Sequence, residues 1–188
     1  MATIHHTTLT PGKLELLAGW LPRQSWYEGG AAKPELVRGG GFRLDDPAGE
    51  VGIEFMVAVD TAGPEPVAYL VPMAYRGAPL DGAPEGALIG TSEHGVLGRR
   101  WFYDAAQDPV ATAQLRALLR GEAEPQQQSE SDTPDPTVTV HGPAPAPTDE
   151  VRLCRVLHPD TPGPLVAGWT WPDGTAVRGA FATVEPQA

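Results

Sequence analysis

One cysteine, Cys154, in a chain of 188 residues excludes an internal disulfide and cannot build a thiolate cluster for zinc. Basic residues are scarce too: 13 Lys and Arg stand against 24 Asp and Glu, and the formal net charge of −11 repels nucleic acid and anionic membrane surfaces. Neither is expected as a partner. No apolar run reaches the length of a membrane span, and the opening MATIHHTTLTPGK has no basic n-region or apolar h-region, so a cytoplasmic protein is expected. Patterns that carry chemistry are missing as well. The glycines at 39–41 lack the Lys-Ser/Thr of a phosphate loop and read better as a strand bulge. The five histidines, His5, His6, His94, His141 and His158, form no i, i+4 pair, which speaks against a metal site. Ser92 lies near His94 but outside any G-x-S-x-G turn. Asp104 has the chemistry of a general acid or base, yet capping, or pairing with Arg99 or Arg100, is the simpler use. The residues therefore point to no catalytic group, no cofactor and no metal.

What is abundant is glycine and proline, 22 and 21 residues, which demands many turns. The stretch 101–121, WFYDAAQDPVATAQLRALLRG, holds the clearest helix. Asp108-Pro109 is a start signal, Gly121 a stop, and Ala111, Leu115, Leu118 and Leu119 recur on one face between them. A second, shorter helix is expected after Thr10-Pro11, with Leu14, Leu17, Ala18 and Leu21 on its apolar face and Pro22 as its end. Residues 51–60 alternate apolar with small or polar side chains, so a strand with one core face is expected. Residues 67–75 alternate again, and Pro72 marks that strand as an edge or bulged one, a place for a partner to pair. Strands joined by turns between two helices indicate an α+β class: an antiparallel sheet with flanking helices.

Three units are expected. Residues 1–121 form the α+β body. Residues 122–149 carry six acids (Glu122, Glu124, Glu130, Asp132, Asp135, Asp149), six prolines and no Lys or Arg, a composition that predicts an unstructured linker except for TVTV at 137–140. Residues 150–188 offer three strand-like runs, 151–157, 165–171 and 176–184, as a small β-hairpin or meander that either extends the first sheet or stands alone. Trp20, Trp26 and Tyr27 have faces suited to stacking on a sugar, but core packing is the favoured use.

Four stretches taken in order resemble a known family: WLPRQSWY at 20–27, YLVPMAYR at 69–76, ALIG at 87–90 and WFYDAAQDP at 101–109. The series is similar to the N-terminal cap of actinobacterial maltokinases and related aminosugar kinases, with Ser25 where those kinases carry Arg. The resemblance covers roughly residues 10–121. It implies a curved antiparallel sheet with flanking helices that packs on a kinase-like N-terminal lobe and does no phosphoryl transfer itself. In the tail, QQQSESDTP at 126–134 and VRLCRVL at 151–157 resemble the segments that follow the cap, which sets Arg152 at the position of the ATP-holding lysine. A rigid guanidinium fork does not replace a compact ammonium, and the 188 residues leave no room for the Asp and Asn residues that hold magnesium. The resemblance thus implies a non-catalytic, cap-like accessory or regulatory protein of sugar-phosphate or storage-glucan metabolism, with a kinase, another carbohydrate-metabolism protein or a sugar as partner. Two alternatives stay open, a small carbohydrate-binding module and an enzyme completed only in an oligomer.

Overall fold

The computed structural model describes residues 9–30, 33–130 and 132–186. Its frame is a curled antiparallel sheet of eight strands. They are β1 (Leu9–Thr10), β2 (Leu36–Leu44), β3 (Gly52–Asp60), β4 (Val67–Arg76), β5 (Leu88–His94), β6 (Gly98–Asp104), β7 (Gln126–Gln127) and β10 (Val156–Leu157). The order across the sheet is β1-β5-β6-β4-β3-β2-β7, with β10 beside β4. A second antiparallel sheet runs β8 (Thr139–Val140), β11 (Leu165–Thr170), β12 (Ala176–Glu185) and β9 (Glu150–Leu153). Helix α1 (Lys13–Trp20) and helix α2 (Pro109–Leu119) complete the α+β architecture.

Helix α2 forms where its sequence signals place it. The Asp108 carboxylate accepts from the N–H groups of Val110 (2.9 Å) and Ala111 (3.1 Å), and Pro109 occupies the first turn, where a missing N–H costs nothing. At the other end Gly121, at φ 72°, lets the chain turn back. Its N–H meets the Leu118 carbonyl and the Glu122 N–H meets that of Ala117, which satisfies two of the last helical carbonyls. Ala111, Leu115, Leu118 and Leu119 are all buried. Helix α1 starts one step later than its Thr-Pro signal. Gly12 is the N-cap residue, Thr10 pairs in β1, and Pro22 sits inside a 3-10 turn over Leu21–Arg23 instead of ending the chain's helical run outright.

The triple glycine is a bulge in β2, where the register slips between Arg38 and Gly40. At Gly41, φ is 119° and a Cβ would stand 1.9 Å from the Phe55 carbonyl oxygen, so only glycine fits.

Strand β3 departs from the one-faced reading. Ile53, Phe55, Val57 and Val59 enter a cluster shared with α2 and the second sheet, whereas Met56 and Ala58 enter a second cluster with Leu17, Trp20 and Leu21 of the α1 segment. Both faces are core, because helices cover the sheet from opposite sides.

Two further expectations are corrected by the strand order. Pro72 is buried and β4 is interior, not an edge. Along one side β4 pairs with β3. Along the other it meets β10 at Ala68 and Tyr69 and β6 from Met73 to Arg76. The Leu70 N–H donates to the Arg155 carbonyl on that second side, so by strand alternation the position of Pro72 faces the same side, in the gap between β10 and β6, where no ladder bond is lost. The acidic stretch 122–149 is also no free linker. Gln126 and Gln127 pair with β2, and Arg116 donates to the carbonyls of Ala146 and Asp149, while the strand expected within TVTV does form, Thr139 and Val140 pairing with β11 and Val138 joining the main hydrophobic cluster. Backbone pairing, to which composition is blind, holds it. The tail does both things that its sequence left open: β10 joins the first sheet, and the other strands form the second sheet, whose Leu165, Trp169 and Phe181 share one core with Phe42, Phe55 and α2.

Candidate functional site

On the open flank of β4, between β6 and β10, lies Arg155. Its Nη2 donates to Asp104 Oδ2 at 2.6 Å, and its guanidinium carbon stands 5.1 Å from the centre of the Trp26 ring. Its Nη1 is buried with no partner among the described residues. Asp104 also accepts from the Ala106 N–H, 3.2 Å away. The expected pairing of Asp104 with Arg99 or Arg100 is not made, since those arginines lie four and five residues back along β6, roughly 13 to 17 Å away at strand spacing. Arg99 pairs instead with Glu93. Sequence reasoning missed Arg155. The only available signal was a second arginine in VRLCRVL beside strand-like residues.

Beside this junction runs a groove of about 300 Å³ between α2 and β9, lined by Phe55, Pro72, Ala105, Leu115, Val151 and Leu153, with Arg152 and Arg155 also on its surface. Arg152 is half exposed and its guanidinium is held by Glu150 (2.9 Å) and Glu185 (3.1 Å), which keep it firmly protonated. Cys154 is half-buried and its thiol is pushed up by burial, away from the reactive thiolate.

The three aromatics considered for sugar stacking are brought together around one small core. Trp20 is 1% exposed and its ring N–H donates to the Gly86 carbonyl at 3.0 Å. Trp26 packs edge-on against it and tilts against Tyr69. The Tyr27 hydroxyl donates to Asp60 Oδ2 at 2.7 Å, and burial together with that carboxylate pushes its pKa upward. Trp20 belongs to the core, and Trp26 and Tyr27 are partly buried against it. Ser92, likewise buried, donates to the Pro11 carbonyl at 2.7 Å.

The motif stretches hold one another. Trp20 reaches Gly86 next to ALIG, the Asp104 N–H donates to the Ala87 carbonyl, Tyr69 touches Trp26 and Tyr27, and Arg76 forms a two-point bridge to Asp108 at 2.6 and 3.0 Å. Residues 20–108 match the family model of the maltokinase N-terminal cap domain. Those residues form a maltokinase N-terminal cap-like domain. Within this cap the matched stretches act as architecture: three strands, a turn and a helix entry locked by hydrogen bonds. No curated protein matches the chain.

The buried acids among the described residues are Asp46, Glu54, Asp60, Asp104 and Asp108. Each is committed. Asp46 accepts from three backbone N–H groups at 2.9 to 3.0 Å, and Asp60 from Tyr27 and from the N–H groups of Glu35 and Ala62. Glu54 is held by the Lys13 ammonium and, at 2.9 Å, by the Gln128 amide. Asp104 belongs to Arg155, and Asp108 to Arg76 and the start of α2. No helix among the described residues is long and apolar enough to cross a membrane.

Proposed function

We propose that the chain is a non-catalytic accessory module that works by binding a partner in sugar-phosphate or storage-glucan metabolism. The observation that carries this reading is the use to which the cap puts its buried acids. A general acid or base must present a proton to a substrate, whereas all five are spent on helix caps, turns and ion pairs that hold the fold. The cap match supplies the context of sugar kinases. In support of a protein rather than a sugar partner, Trp20 is packed into the core and Trp26 and Tyr27 are partly buried against it. Titration with maltose, trehalose, glucosamine and Mg-ATP, followed by a coupled assay for ADP release, tests the reading. Silence in every titration is the expected result. Turnover of any sugar with ATP contradicts it.

A further inference from the structure

We propose that the groove between α2 and β9 is a peptide-docking site, which takes an extended acidic segment of a partner protein by adding a strand to β9. The inference rests on the reading of the chain as a partner-binding module and names where the partner sits.

Strand β9 is the edge of the second sheet. The Cys154 N–H donates to the Phe181 carbonyl in register with the Leu153 and Ala182 pair, so Arg152 and Glu150 make the ladder bonds to β12. The N–H and C=O groups of Val151 and Leu153 then point away from the sheet by alternation. Both residues line the groove. An edge that offers donors and acceptors in turn matches the backbone of another extended chain, and a simple anion would leave the two carbonyls unpaired.

The groove adds two kinds of side-chain recognition. Phe55, Pro72, Ala111 and Leu115 give an apolar lining, and alternate side chains of an added strand would point toward it. Arg155 gives charge: one half of its guanidinium is bound by Asp104, while Nη1 is buried with no partner among the described residues. A buried cationic N–H without an acceptor is costly, and a carboxylate arriving on the peptide would satisfy it. The occupant is therefore an extended segment whose groove-facing, alternate positions carry aliphatic residues and one aspartate or glutamate.

The test uses the full chain and a panel of capped heptapeptides alternating threonine with valine, with one aspartate moved through the seven positions. Binding is read by fluorescence anisotropy and, for any binder, by hydrogen exchange at the amides of Val151 and Leu153. At least one member should bind and slow exchange at both amides. Replacing its aspartate by asparagine, or N-methylating the residues of one edge, should weaken binding about tenfold or more. Val151→Pro, which removes an outward N–H together with a groove-lining side chain, should do the same. Should that variant not fold, the peptide-side changes carry the test unaided. No binding by any member up to millimolar concentration overturns the proposal, as does binding indifferent to N-methylation. A chain that is dimeric, with those two amides protected until it dissociates, overturns it in favour of a second copy as occupant. Peptide silence would leave the accessory reading standing, whereas sugar turnover would sink that reading and leave a positive peptide result intact.

Discussion

Arg155 fastens the tail to the cap, and its partner Asp104 shows what removing one half of a buried pair does. Asp104 is 6% exposed and bridges the end of β6 to the segment between β9 and β10. Asp104→Ala leaves the guanidinium uncompensated and should cost about 3 to 5 kcal/mol in urea unfolding. Loss of under about 1 kcal/mol would mean that the pair is not formed. Asp46 supplies a pH signature. Burial works against its charge, but the N–H groups of Ala48, Val51 and Glu50 and the charge of Arg76 outweigh it, so its carboxyl ionises below the ordinary value. A group whose folded pKa is depressed contributes stability above its unfolded pKa of about 3.9 and loses it as pH falls through the folded value. The urea midpoint should therefore drop below about pH 4, and Asp46→Asn should flatten that part of the profile relative to the parent chain.

At the scale of elements, α2 shows what was readable in advance. Its start, stop and buried stripe depend on residues close in sequence, and each stands where local chemistry puts it. The glycine bulge was readable for the same reason. Partners far along the chain were not: nothing near Asp104 names Arg155, and two-residue strands such as β7 pair through backbone groups that every residue carries. Alternation in β3 hid a second core face because alanine and methionine opposite the valines are apolar as well. The site region was less legible still, since nothing local to Trp20, Trp26 and Tyr27 tells that the first is core and the other two only partly buried, and the groove depends on strand alternation in β9. Two substitutions in α2 separate its faces. Leu115→Ala should cost about 2 to 5 kcal/mol through lost burial and a cavity. Arg116 donates to the carbonyls of Ala146 and Asp149, tying the acidic stretch to the helix. Arg116→Ala should thus cost about 1 kcal/mol, more than an ordinary surface change. Equal losses in a denaturant series would show that the faces are misassigned.

The larger of the two cores is shared by all three pieces into which composition divides the chain. Phe42 stacks on Phe55 at 4.7 Å and lies 6.1 Å from Phe181, so the first sheet and the tail complete a single aromatic cluster. A fragment ending at residue 121 would expose that cluster and the stripe of α2. It should bind a hydrophobic dye and lose the cooperative transition of the full chain, whereas a sharp transition at the parent midpoint would show that the tail is dispensable. The larger claim is that this cap serves a partner and does not itself use a nucleotide. Arg152, at the position that the resemblance assigns to an ATP-holding lysine, is engaged by Glu150 and Glu185 in a chain of net charge −11, a poor setting for a triphosphate. Calorimetric titration with Mg-ATP tests this most directly. Binding no tighter than about millimolar, some −4 kcal/mol, is the predicted result. Micromolar binding that disappears on Arg152→Ala would contradict the account.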